Sequence, residues 1–181
     1  MTKLRRIRLF LFVLAGGMAA AAEEEGSLHP QLEAFRPLLG QTWAGQFPNL
    51  PDGTPVEDVV RYERALNGMA VRSLHSLNNG MYGGETLFRW DDAAGKLVFH
   101  YFTTQGFVTK GEIRQNSDGS FTSIEVVEDP TKADGVTRVE AEFHIEPDSL
   151  VVRSTYFRGE DSSPGHAAEY APAPDREVVF R

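Results

Sequence analysis

The sequence predicts an all-β protein, an antiparallel up-and-down barrel of about ten strands with a short helix in front of it. From Trp43 onward, short runs rich in Val, Phe, Tyr and Thr alternate with clusters of Gly, Asn, Asp and Pro, the pattern of strands and turns. The connections are mostly tight: PDG at 51–53, NG at 67–68 and 79–80, DAAG at 92–95, TQG at 104–106 and SDG at 117–119. Links this short join antiparallel neighbours. So many strands leave edges exposed unless the sheet closes on itself, and a closed sheet of about ten strands has room inside for a small molecule.

The first stretch is set apart from the fold. Lys3, Arg5, Arg6 and Arg8 precede the apolar run LFLFVLAGGM and the small residues AAAA at 19–22, the layout of a secretory leader covering 1–22. The run is shorter than the ~20 apolar residues of a membrane span, and a chain without cysteine has no site for a lipoprotein anchor. The expectation is one exported domain, 23–181, periplasmic or secreted, with no stable membrane anchor after cleavage. The leader would take four of the 18 Lys and Arg, leaving 14 against 26 acidic residues. So acidic a product is not expected to bind nucleic acid, whose phosphates are met mainly by Lys and Arg. Without disulfides, burial of Phe, Val and Leu must hold the domain together.

In SLHPQLEAFRPLLG, residues Leu28, Leu32, Phe35 and Leu39 recur near the helical turn, predicting one short amphipathic helix with Pro30 in its first turn and Pro37 kinking or ending it. Strands are predicted at 43–47, 56–66, 69–77, 81–90, 96–103, 107–115, 120–128, 137–145, 149–158 and 176–181. Two connections are long, EDPTKADG at 128–135 and GEDSSPGHAAEYAPAPD at 159–175. The second reads as a surface loop or as a flap over the barrel mouth.

Turn length sets register, and register sets faces. Counting out from a two-residue turn at Asn79-Gly80 puts Met69, Val71, Ser73, His75, Leu77, Tyr82, Gly84, Thr86, Phe88 and Trp90 on one face. That face collects the aromatics and no permanent charge, so it is the inner one. Carried forward, the count turns Leu97, Phe99, Tyr101, Thr103, Phe107, Thr109 and Ile113 inward, and in the later hairpin Val139, Ala141, Phe143, Ile145, Leu150, Val152, Ser154 and Tyr156. Carried back through Asn67-Gly68, it pairs Leu66 with Met69 and Val60 with His75, and turns Tyr62 and Arg64 inward. A guanidinium in a dry core is very costly, so an inward Arg64 implies water and a ligand; a slip of one residue would bury Arg61 and Glu63 instead and expose Tyr62 and Leu66. The candidate ligand-binding wall is Tyr62, Arg64, Ser73, His75, Tyr82, Thr86, Trp90, Phe99 and Tyr101, with Trp43 and Phe88 as further apolar lining.

LLGQTWAGQF resembles the opening of calycin-type barrels, which include lipocalins, fatty-acid-binding proteins and nitrobindin-like haem proteins. The run from LNGMAVRSLHS through MYGGETLFRWDDAAGKLVFHYF to VTKGEI is similar to a group of uncharacterised bacterial calycin-like barrels, a domain of unknown function. The resemblance covers most of 38–181 and implies a β-barrel with no agreed activity. Two residues separate Gly40 from Trp43 where lipocalins have one.

No G-x-S-x-G turn, cysteine nucleophile or H-E-x-x-H motif is present, so neither hydrolytic nucleophile nor tightly held metal is expected. His100 and His144 are expected on the solvated face. His166 falls roughly where a nitrobindin-like barrel brings its haem-ligating histidine, which makes haem an alternative cofactor. The reading is an exported barrel that binds a small apolar or amphipathic, lipid-like molecule, with an anionic end beside Arg64. The alternatives are acid–base catalysis by His75 and a tyrosine, an envelope scaffold using outward Leu74, Leu87, Val98 and Phe102, and a water-filled interior whose polar groups satisfy one another.

Overall fold

Ten antiparallel strands close on themselves in the order β1-β10-β9-β8-β7-β6-β5-β4-β3-β2, the up-and-down barrel expected from the turn spacing. The computed structural model describes residues 26–181; the leader expected at 1–22 lies outside the described residues. The strands are β1 (Thr42–Phe47), β2 (Val56–Ala65), β3 (Ala70–Leu77), β4 (Tyr82–Asp91), β5 (Lys96–Thr103), β6 (Val108–Gln115), β7 (Phe121–Val127), β8 (Arg138–Glu146), β9 (Ser149–Arg158) and β10 (Asp161–Pro172). The first nine fall within a residue of their expected bounds.

The last does not. Residues 159–175 are not a loop or flap, because most of them form β10, and 176–181, expected as the final strand, is irregular. Ser, Pro and Gly disguise β10, whose register against β9 shifts between Pro164 and Ala167. A β-bulge is a place where a strand tolerates such residues. β10 closes the barrel through Trp43↔Pro172, Ala44↔Ala171 and Gly45↔Tyr170. The tail beyond it crosses the outside of β3, where the Val179 N–H donates to Ser76 Oγ at 3.0 Å.

The N-terminal element is a 3-10 helix, Pro30–Leu38, with Pro37 inside its last turn. Residues three apart eclipse in this tighter helix, so Leu32, Phe35 and Leu38 form one stripe, all of it buried. The stripe plugs one end of the barrel, in the same core as Trp43, Val60, Val71, Phe99 and Phe121. Phe35 stacks on Phe88 at 5.2 Å and meets Phe121 at 5.8 Å. The helix therefore closes an end rather than covering the outer face, where Phe102 stays exposed.

Register through β2 to β6 keeps the expected parity, with Val60↔His75, Ser73↔Thr86, Trp90↔Leu97 and Tyr101↔Thr109. The two Asn-Gly turns are nevertheless not two-residue turns. Pairing stops at Ala65↔Ala70 and Leu77↔Tyr82, and Leu66, Asn67, Asn78 and Asn79 take positive φ between them. Loops of two and four residues share parity, so the faces survive while the positions nearest each turn leave the wall. Leu66 and Met69, expected to face each other inside, are 65% and 55% exposed.

Candidate functional site

Above the helical plug the barrel is hollow. The cavity measures about 530 Å³, within the range of small-molecule sites. Phe35 and Leu38 line its plugged end; Gln105, Phe107, Ala133, Asp134, Val136 and Arg158, from the turn ends and the connection after β7, belong to its lining at the other. The long connection at this end is thus 128–135, which contains a 3-10 turn, Pro130–Lys132.

Of the expected wall, Tyr62, Ser73, His75, Tyr82, Thr86, Phe99 and Tyr101 line the cavity. Trp90 lies outside it, at the plugged end, stacked on His29 at 6.2 Å. Arg64 also lies outside. It sits opposite Val71 as expected, but it is the penultimate residue of β2, and its exposed side chain turns to the N-terminal segment, where Nε donates to the Ser27 carbonyl at 2.9 Å. The guanidinium fastens that segment to the barrel end. The expectation of an anionic ligand end beside Arg64 loses its basis.

A hydrogen-bonded chain occupies the wall instead. Buried Asp58 accepts from His75 Nδ1–H at 2.9 Å and from the Tyr170 hydroxyl at 2.8 Å. His75 Nε2 lies 2.8 Å from the Tyr101 hydroxyl, which lies 2.8 Å from that of Tyr82. With His75 neutral, Nε2 accepts from Tyr101, Tyr101 accepts from Tyr82, and Tyr82 is left with lone pairs for a ligand. With His75 protonated, Nδ1–H still donates to Asp58, the two bonds beyond Nε2 reverse, and Tyr82 offers its O–H. Burial pushes the Tyr82 phenol up to about 12 and Tyr101 well above its usual value, so both keep their protons at neutral pH.

Two glycines make the chain possible. A Cβ on Gly45 would come within 2.9 Å of the Tyr170 ring, and one on Gly84 within 2.3 Å of the Tyr101 ring. Gly84→Ala is expected to push Tyr101 off His75 and to cost about 1–3 kcal/mol, as overpacking does. Urea denaturation together with the near-UV tyrosine spectrum checks it; unchanged stability and spectrum would contradict the close packing described.

Two further groups complete the interior. Glu125 on β7 lines the cavity and accepts a hydrogen bond from the Thr109 hydroxyl through Oε1; no bond reaches Oε2 from the described residues. Burial pushes its carboxyl pKa up, against the pull of Thr109. A folded-state pKa above the ordinary 4.5 means that stability is fully present below that value and is lost as pH rises through the raised one. Glu125→Gln is therefore expected to leave Tm unchanged near pH 4 and to raise it by roughly 2–4 °C at pH 8. Thermal unfolding across that range would contradict this if the variant were the less stable at pH 8.

His166 on β10, expected in a loop, belongs to the same lining. Phe47 stacks on its ring at 5.3 Å, and the Ser154 and Tyr156 hydroxyls lie 3.0 and 2.9 Å from Nδ1. Ser154 donates its proton to the His166 carbonyl at 2.9 Å; in the tautomer with the ring proton on Nδ1, the Ser154 oxygen accepts it and Nε2 keeps its lone pair. Burial lowers the ring's pKa and holds it neutral.

Asp58 and Glu125 lie outside the expected wall, although the sequence carries a signal for each. The parity that turns Val60 and Tyr62 inward reaches Asp58 one step further back. In FTSIEVV, buried Phe121 and Val127 fix a face that includes Glu125 and leaves Ile124 and Val126 outside. Among the described residues, no group of three or more His, Asp or Glu is placed to hold a metal ion.

No family model matches the sequence, and no curated protein matches it. Among solved structures the barrel is similar to Rv2717c from M. tuberculosis, with a TM-score of 0.57 and 18% identity over 81% of this chain and 99% of that one. The likeness is one of fold, a closed antiparallel β-barrel.

Proposed function

We propose that this barrel is an exported binding protein, periplasmic or secreted and without a membrane anchor or nucleic-acid partner, that takes a small, largely apolar molecule into its interior. The observation that carries the reading is the cavity, apolar over most of its wall and crossed by the Asp58–His75–Tyr101–Tyr82 chain, whose end can orient one polar group of a ligand. Membership of the uncharacterised bacterial calycin-like group is part of the proposal. Native mass spectrometry of protein purified from its own cells tests it. The expected result is a small molecule released on denaturation and lost in His75→Ala; bare protein that responds to no apolar probe would overturn the reading.

One observation favours a second reading, haem. His166 lines the cavity, burial keeps its ring neutral, and the Ser154 and Tyr156 hydroxyls brace Nδ1, so Nε2 is the atom that would hold iron. The ring is flanked by Phe47 and Tyr156, and Glu169 further along β10 is exposed. Bound there, haem would supply iron chemistry, and His166 would hold it. Titration with haem should then give a Soret band that His166→Ala abolishes; a spectrum identical in the two proteins would remove this reading.

A further inference from the structure

The interior polarity points to a class of ligand. Three carboxylates belong to the cavity lining: Asp58 and Glu125 on the wall, and exposed Asp134 at the end opposite the plug. Asp58 is satisfied by His75 and Tyr170. Glu125 has one hydroxyl on one oxygen and, among the described residues, no cation. Among the described residues the only Arg or Lys in the lining is Arg158, and its guanidinium is engaged elsewhere, Nε donating to the Asp134 carbonyl at 3.0 Å and Nη1 to Ser163 at 3.3 Å. An ionised carboxylate enclosed by apolar wall is costly unless a positive partner meets it.

The surroundings of Glu125 suit such a partner. Its row continues to Val139 on β8 and Tyr156 on β9; Thr109, which bonds it, pairs with Tyr101 on β5. Burial is the main cause of the raised phenol values of Tyr82, Tyr101 and Tyr156, and the Glu125 carboxylate adds to all three, which places these rings within its field. Aromatic faces around a carboxylate are the setting in which proteins hold alkylammonium groups. Phe107, Val127 and Val136 form an apolar cluster with Tyr156 beside it.

We infer that the ligand carries a cationic nitrogen, an amine or quaternary ammonium head on an apolar body, seated between Glu125 and the rings of Tyr82, Tyr101 and Tyr156. The inference rests on the proposal that the cavity binds a small molecule, and it reverses the charge expected beside Arg64. Isothermal titration with decyltrimethylammonium, decan-1-ol and decanoate, each below its micelle threshold, tests it on wild type and Glu125→Gln. The ammonium probe should bind roughly tenfold more tightly than decanol, and decanoate more weakly than either. Glu125→Gln should remove that advantage and leave decanol within about twofold, since only a charged contact is lost.

Decanoate binding as tightly as the ammonium, or Glu125→Gln keeping full ammonium affinity, would overturn the inference while decanol binding upheld the cavity. If none of the three probes bound, the binding reading itself would fall.

Discussion

Removing the Asp58 carboxylate with Asp58→Ala is expected to destabilise the barrel by about 2–6 kcal/mol, because two enclosed donors lose their acceptor at once and each such loss costs about 1–3 kcal/mol. Those donors are His75 Nδ1–H and the Tyr170 hydroxyl, on strands β3 and β10 either side of the β1–β2 pair. The carboxylate therefore holds strands across the place where the barrel closes. Asp58→Asn is the informative companion. Its carbonyl can still accept from Tyr170, while its amide can only donate to Nδ1, so the His75 proton moves to Nε2 and the chain to Tyr82 reverses. Nitrogen NMR of the imidazole reads this directly. The wild type should carry its proton on Nδ1 and the Asn variant on Nε2, at a smaller stability cost than Ala; the same tautomer in both would refute the chain as described.

Phe35→Ala carries the other large effect. The ring is buried between Phe88 and Phe121 at the floor of the cavity, and deleting a fully buried Phe costs about 3–5 kcal/mol. Structure on only one side of this site can collapse, since the other side is already hollow, so the upper part of that range is expected. The variant should also enlarge the cavity and bind more of an apolar fluorescent dye. Chemical denaturation with dye titration checks both; a loss below 1 kcal/mol would mean that the 3-10 helix is not the plug.

Much of this was readable because strand parity is robust. His75 and Tyr82 come to one face whether the Asn79-Gly80 link holds two residues or four, and the observed four changed only the fate of residues at the rim. Arg64 shows the limit of the same count. Parity placed it inward, but position along the strand decides whether a long, flexible side chain stays inside or leaves by the nearest end. Pattern reading failed outright at β10, where Pro164, Gly165 and the bulge suppress the alternation that marks a strand. His166 consequently falls in an expected loop rather than on a strand. Glu125 was hidden differently, since Ile124 and Val126 beside it look like the buried pair and are the exposed one.

The central claim is that the inner wall of β3 to β7 encloses a cavity that takes a ligand. Amide NMR of the protein titrated with decan-1-ol tests it most directly. The expected result is saturable shifts at Tyr82, Tyr101, Thr109 and Glu125 and none at Arg64; shifts confined to the outer Phe102, Ile124 and Val126, or no saturable shift at all, would contradict it.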